Sequence, residues 1–130
     1  MVIHHLGIQV LEADLDQVLA FYTAALEPLG YKEAMRFGTA VGFGGDGGVH
    51  TDFWVTGQSV KPTTVAHVAF AGTRAQVDAF HAAAIKFGAK DNGAPGIRAQ
   101  YHPNYYGAFV FDPAGNNIEV VCFQEQDGPK

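Results

Sequence analysis

The chain has 130 residues and a mass of 13.9 kDa, 48% hydrophobic and 16% charged, with thirteen acidic residues against eight basic ones for a net charge of −5. That length predicts one domain that buries about two-thirds of its unfolded surface without staples. The lone cysteine, Cys122, excludes an intrachain disulfide and a cysteine-based zinc site. The acidic balance argues against nucleic acid, and no apolar run reaches the ~18 residues of a membrane span. Met1-Val2-Ile3-His4-His5 carries neither a basic nor an apolar leader, so the expected address is the cytoplasm.

Residues 3–10 alternate as a strand does. His4, Leu6, Ile8 and Val10 are predicted to face a helix, and Ile3, His5, Gly7 and Gln9 to face away. Asp14 and Gln17 match a capping box. Leu15, Val18, Leu19, Tyr22, Ala25, Leu26 and Leu29 then form one helical stripe that ends at Gly30. Three strands are predicted at about 31–37, 40–44 and 49–56, with the Gly44–Gly48 turn before the third. Residues 58–63 read as a linker.

The pattern then repeats. Val65-Ala66-His67-Val68-Ala69-Phe70 is a second strand, Thr73 and Gln76 a second capping box, and Gln76, Val77, Ala79 and Phe80 echo Gln17, Val18, Ala20 and Phe21 59 positions on. Gly88 ends this helix. Residues 90–96 read as a loop, and strands are predicted at about 97–102, 105–111 and 117–124. The fold expected is therefore α+β: two paired βαβββ modules forming one curved eight-stranded mixed sheet with the helices outside. Module one is 1–57, module two 64–124, and 125–130 a tail, all within one domain. His5 and His67 occupy equivalent strand positions. Gly48 precedes Asp52 by four residues, as Gly115 precedes Glu119, which predicts that Asp52 matches Glu119.

This arrangement resembles the vicinal oxygen chelate superfamily of glyoxalases, bleomycin-resistance proteins and extradiol dioxygenases. The resemblance is carried by Ile3-His4-His5-Leu6-Gly7-Ile8, Phe21-Tyr22, Val65 to Phe70, and Asp112-Pro113-Ala114-Gly115-Asn116-Asn117-Ile118-Glu119. It implies one divalent metal ion (Zn, Ni, Mn, Co or Fe) on the concave face, held by His5, Asp52, His67 and Glu119. It implies a small substrate with two neighbouring oxygens and lyase or isomerase chemistry through a metal-stabilised enediolate, with Glu119 as the proton-carrying carboxylate. It also implies a homodimer. Asp52 departs from the family pattern, being shorter than the Glu or Gln usual there, and His50 is a possible replacement. Without a fourth ligand, two His and one carboxylate match an Fe(II) extradiol-type dioxygenase. A bleomycin-resistance-type binder without catalysis is the third reading.

Arg98, after Ala94-Pro95-Gly96-Ile97, is a candidate clamp for an anionic substrate group. Tyr101, His102, Tyr105 and Tyr106 are candidate pocket-wall residues, as is Trp54. His4 is predicted on the buried helix side, His81 on a solvated helix face, and Cys122 as a buried hydrophobe.

Overall fold

The computed structural model describes residues 3–124, so the predicted tail at 125–130 lies outside the described residues. The chain divides into two compact units, Met1–Val65 and Ala66–Lys130.

The first unit contains β1 (Leu6–Leu11), α1 (Leu15–Ala25), β2 (Lys32–Phe37), β3 (Ala40–Gly44) and β4 (Phe53–Gln58). Its sheet has the order β1-β4-β3-β2, parallel between β1 and β4 and antiparallel elsewhere. Alternation sends Ile8, Val10, Val41, Phe43, Phe53 and Val55 to one face, where all are buried. Val18, Phe21, Tyr22 and Ala25 of α1 are buried as well, and the Tyr22 ring meets that of Phe53 edge-on at 5.1 Å. Each such side chain contributes roughly 1.5–3 kcal/mol by leaving water. The expected cap at Asp14 is absent: its side chain makes no cap hydrogen bond, and a single 3-10 turn, Glu12–Asp14, leads into the helix instead.

The second unit repeats the plan with β5 (His67–Ala71), α2 (Arg74–Lys86), β6 (Lys90–Ile97), β7 (Tyr106–Phe111) and β8 (Asn117–Cys122), in the order β5-β8-β7-β6. Val68, Phe70, Ala108, Val110, Ile118 and Val120 are buried, as are Val77, Phe80 and Ala84 of α2. Here the capping box forms: Thr73 accepts from Gln76 N, and Gln76 accepts from Thr73 N. Gly88 closes the helix at φ 105°, a backbone state that favours glycine. The eight strands are thus hydrogen-bonded as two four-stranded mixed sheets, each with one helix, which is the α+β pair of βαβββ modules.

Two sequence expectations fail locally. Residues 90–96 are not a loop but most of β6, an edge strand whose register against β7 shifts at Asp91/Gly93 and Gly93/Gly96. An edge tolerates Pro95 and bulging glycines because one side of the strand needs no partner. The strand expected at 97–102 is instead a run of turns, with Tyr101 N donating to Arg98 O and Tyr105 N to His102 O. Among the described residues no helix is long and apolar enough to cross a membrane.

Candidate functional site

In the second unit, His67 pairs with Asn117 and Ala69 with Glu119 across the parallel β5/β8 ladder. The pleat turns His67, Asn117 and Glu119 away from the face that buries Val68 and Ile118. Glu119 is nonetheless only 2% exposed. A carboxylate so enclosed requires partners, and it has them. Its Oε1 lies 3.1 Å from His67 Nε2, and its Oε2 accepts a short hydrogen bond from the Tyr105 hydroxyl. The other ring nitrogen of His67, Nδ1, lies 3.0 Å from the Asn117 carbonyl oxygen. A carbonyl only accepts, so Nδ1 carries the proton there. The Phe109 ring lies nearly parallel to that of His67, centroids 6.5 Å apart. Gly107 leaves room for the Tyr105–Glu119 contact, since a Cβ there would stand 3.2 Å from Tyr105 Cε1 and 3.5 Å from Glu119 Oε2. Burial first, then the hydrogen bond to Glu119 and its charge, push the Tyr105 hydroxyl far above its ordinary pKa, so it remains a proton donor.

In the first unit, Leu6 pairs with Phe53 and Gly7 with Trp54, and Leu6 N donates to Asp52 O. Aligning the first core-facing pair of each ladder, Leu6/Phe53 with Val68/Ile118, makes His5 the counterpart of His67. It also makes Trp54 the counterpart of Glu119, and Asp52 that of Asn117. The expected match of Asp52 with Glu119 is therefore corrected. Equal glycine spacing misleads because β8 starts two residues after Gly115, whereas β4 starts five after Gly48. Asp52 Oδ2 accepts from the Tyr31 hydroxyl at 3.2 Å, and Oδ1 is buried with no hydrogen-bond partner among the described residues. Burial, then the Asp52 charge, raise the Tyr31 pKa far above its usual value. His5 is exposed, its Nδ1 2.9 Å from His4 Nδ1. His4 is exposed too, not buried on the helix side: the ladder begins only at Leu6. His50 bonds Asp46. Trp54 stacks on Phe37 at 6.2 Å. His5, Asp52 and Trp54 line one cavity of about 700 Å³.

The remaining candidates separate. Arg98 lies over the Phe109 ring at 5.4 Å, on the His67 side, but its Nη1 donates to Gly96 O and its Nη2 to Ala94 O. The fork expected to grip a substrate anion thus braces the β6 edge. Tyr101 is 63% exposed and packs on Tyr105, with ring centroids 5.0 Å apart. His102 accepts from Asn104 N and packs on Phe123. Tyr106 shares the pleat of Ala108 and Val110, and its hydroxyl donates to Asp78 of α2. It faces the helix, not the side of Glu119, because one residue along a strand reverses the face. His81 is 15% exposed at its side chain and pairs with Asp91 at 2.8 Å, so it is not on a solvated face. Cys122 is a buried free thiol, as expected. Sequence reasoning missed Asn117 and Tyr31. The first acts through its backbone carbonyl, which leaves no residue-type signal, and the second meets Asp52 only through the fold.

The family model described as the Glyoxalase/Bleomycin resistance protein/Dioxygenase superfamily matches residues 2–120. The chain belongs to this superfamily. Among solved structures it is similar to a glyoxalase/bleomycin resistance protein from Albidiferax ferrireducens T118, with 28% identity, TM-score 0.79, and 94% of this chain and 99% of that one covered. It shares its fold with a lactoylglutathione lyase from Agrobacterium tumefaciens, with 20% identity, TM-score 0.67, and 93% and 92% covered. The same holds for a variant of a fosfomycin resistance protein from Listeria monocytogenes complexed with Mn(II) and 1S,2S-dihydroxypropylphosphonic acid, with 18% identity, TM-score 0.64, and 91% and 88% covered. No curated protein matches the chain in sequence.

For a glyoxalase-superfamily chain the donor set can be tested against a divalent ion. Two donors at about 2.1 Å on adjacent octahedral positions stand about 3.0 Å apart. The 3.1 Å between His67 Nε2 and Glu119 Oε1 fits that seat. With Nδ1 donating to Asn117 O, Nε2 is the nitrogen that faces the Glu119 carboxylate oxygen, which only accepts. Two acceptors at this distance repel unless a cation, a proton or a metal, lies between them. The seat has two donors: among the described residues no three His, Cys, Asp or Glu side chains are grouped to hold an ion.

Proposed function

We propose that the protein is a divalent-metal-dependent enzyme of lyase or isomerase type, acting on a small substrate with two neighbouring oxygens, in which His67 Nε2 and Glu119 Oε1 hold the ion. The observation that carries this reading is the buried Glu119 carboxylate, 3.1 Å from Nε2 of an imidazole oriented by the Asn117 carbonyl. When bound, the ion supplies Lewis-acid stabilisation of negative charge on the chelating oxygens. The Asn117 carbonyl holds the His67 ring so that Nε2 points at the seat. The Tyr105 hydroxyl binds Glu119 Oε2 and so keeps Oε1 toward His67. Glu119 is the carboxylate positioned to take a proton from substrate. The Phe109 ring lies nearly parallel to His67 beside the seat.

Titration of chelator-stripped protein with Mn²⁺, followed by calorimetry, tests the seat. The expected result is saturable binding near one ion per chain that is lost in Glu119→Gln. Equal binding by both proteins overturns the assignment. Metal-loaded protein is then assayed with an oxoaldehyde–thiol adduct, and turnover supports the lyase or isomerase reading. One observation favours a second reading: with Trp54 at the counterpart position of Glu119, the first ladder offers no second carboxylate there, and Fe(II) dioxygenases use a single one. Oxygen consumption by Fe(II)-loaded protein with a catechol separates the two. A homodimer is part of the proposal, supported by large exposed apolar residues such as Phe37, Val49 and Val60. Light scattering should return twice 13.9 kDa.

A further inference from the structure

We propose that Asn92 deamidates by self-catalysis: the Gly93 backbone nitrogen attacks the Asn92 side-chain carbonyl while the Asp91 carboxylate takes the proton. This goes beyond the metal reading, because it uses neither His67 nor Glu119 and needs no ion.

Three observations carry it. Asn92 is the one asparagine of four that precedes a glycine, so no side chain shields the nitrogen that must attack. It is exposed, and it is the extra residue of β6: Asp91 pairs with Val110 and Gly93 with Phe109, which leaves Asn92 without a cross-strand partner. A bulged residue is released from its ladder, and at a sheet edge the backbone there is the least constrained part of the strand. Second, the attacking group has a base in place. Gly93 N donates to Asp91 Oδ1 at 3.0 Å, and His81 Nε2 from α2 lies 2.8 Å from the same oxygen. Nucleophile, base and a third group that holds the base form the arrangement that activates a nucleophile. Asp91 is held below its ordinary pKa, chiefly by its hydrogen bond from His81, so it is ionised and able to accept at neutral pH. Third, the acidic analogue Asp46-Gly47 has neither feature. Gly47 N donates to Gly30 O at 3.0 Å, and His50 takes both Asp46 oxygens.

The Gly93 N–H proton passes to Asp91 as a bond forms from that nitrogen to the Asn92 side-chain carbon, closing a succinimide ring. The Asn92 amide nitrogen takes a proton, from Asp91 or from water, and leaves as ammonia. Water then opens the succinimide to aspartate or isoaspartate, so no oxidant or further reactant is required. Attack within one residue pair needs no encounter, which favours the step. The product places a carboxylate where the Asn92 amide had donated to Asn117 Oδ1 at 3.2 Å. Two acceptors repel, so the Asn117 carboxamide turns its NH2 toward residue 92 and its oxygen away. Asn117 lies on the His67 side of the sheet, and the modification therefore changes what that side offers.

The experiment ages the full chain in mildly alkaline buffer with excess EDTA, folded and, in parallel, unfolded in urea. Peptide mapping by mass spectrometry follows the exchange of NH for O at each asparagine, and released ammonia is assayed. The folded chain is expected to deamidate at Asn92 at least as fast as the unfolded one, with Asn104, Asn116 and Asn117 unchanged. Asp91→Asn should slow the folded rate roughly tenfold or more, the least that a positioned base supplies, and leave the unfolded rate close to wild type. His81→Ala should slow the folded rate as well, and His81→Gln, which keeps a donor for Asp91, should restore it. Slower loss in the folded than in the unfolded chain, modification spread over the other asparagines, or a folded rate that survives Asp91→Asn overturns the proposal. Equal folded rates in the two His81 variants would remove His81 from the mechanism. The folded and unfolded wild-type comparison stands even where a variant fails to fold. With EDTA present throughout, the outcome is independent of the Mn²⁺ titration, so failure here and failure of the metal reading are separate results.

Discussion

Glu119 is a charged side chain only 2% exposed, on the pleat opposite Ile118 and Val120, and a carboxylate so enclosed requires the partners it has. Tyr105 and His67 each take one of its oxygens. Tyr105→Phe removes the donor that fixes the carboxylate without emptying the cavity, so Mn²⁺ affinity should fall roughly 10–100-fold, the range for partners that orient a ligand. Glu119→Gln should largely abolish binding, because a neutral amide loses the charge that draws the cation. Asp52→Asn should leave the ion bound, since Asp52 holds the place of Asn117 in its ladder. One calorimetric titration series at a single pH compares all three. A larger loss with Asp52→Asn than with Glu119→Gln would restore Asp52 as the principal carboxylate ligand.

Local geometry separates the two copies of each element. The helices share a sequence echo, but only Thr73 caps its helix. Thr73→Ala should cost about 1 kcal/mol in urea unfolding, the usual value of an N-cap. Asp14→Ala should change stability by no more than a few tenths of a kcal/mol, as for surface substitutions that touch no special feature. A matching loss in both would mean that Asp14 caps in solution. In β3, Gly42→Ala places a methyl against Thr51 and the indole of Trp54. It should destabilise by roughly 1–3 kcal/mol, as overpacking does, and shift Trp54 emission. An unchanged spectrum would show the ring free of this strand. β6 illustrates the opposite case, where glycines and a proline that read as loop are tolerated at an edge.

Across the chain, acid sensitivity should come from carboxylates held by histidine. Asp91 is held below its ordinary pKa chiefly by its hydrogen bond from His81, then by Gly93 N. Asp46 is held below it by the His50 backbone and side chain. A carboxyl depressed in the folded state stabilises above its unfolded pKa and loses that contribution as pH falls through the folded value. Stability should therefore decline as pH drops below the ordinary value of about 3.8, more gently in Asp91→Asn. Both groups are exposed, so the slope is small. Denaturant midpoints from pH ~5 to ~2.5 check it. A wild-type curve parallel to that of Asp91→Asn would remove the His81–Asp91 pair from the account.

The repeated βαβββ plan was legible because apolar alternation, helical stripes and glycine stops are local: each depends on residues a few positions apart. His67 and Glu119 were legible for the same reason, as polar residues on otherwise apolar strands. Register was not. Whether Asp52 or Trp54 takes the place of Glu119 depends on how many residues the turn before β4 absorbs. Only hydrogen bonding of β4 to β1 and β3 decides that, and an error of two residues preserves the face while exchanging a carboxylate for an indole. The same holds for Tyr106, whose helix-facing pleat comes from its pairing with Cys122, and for Tyr31, which reaches Asp52 across 21 residues of chain. Sequence determined the elements and the buried charge. Strand pairing, which adds cross-strand contacts that no single segment encodes, decided which side chains meet.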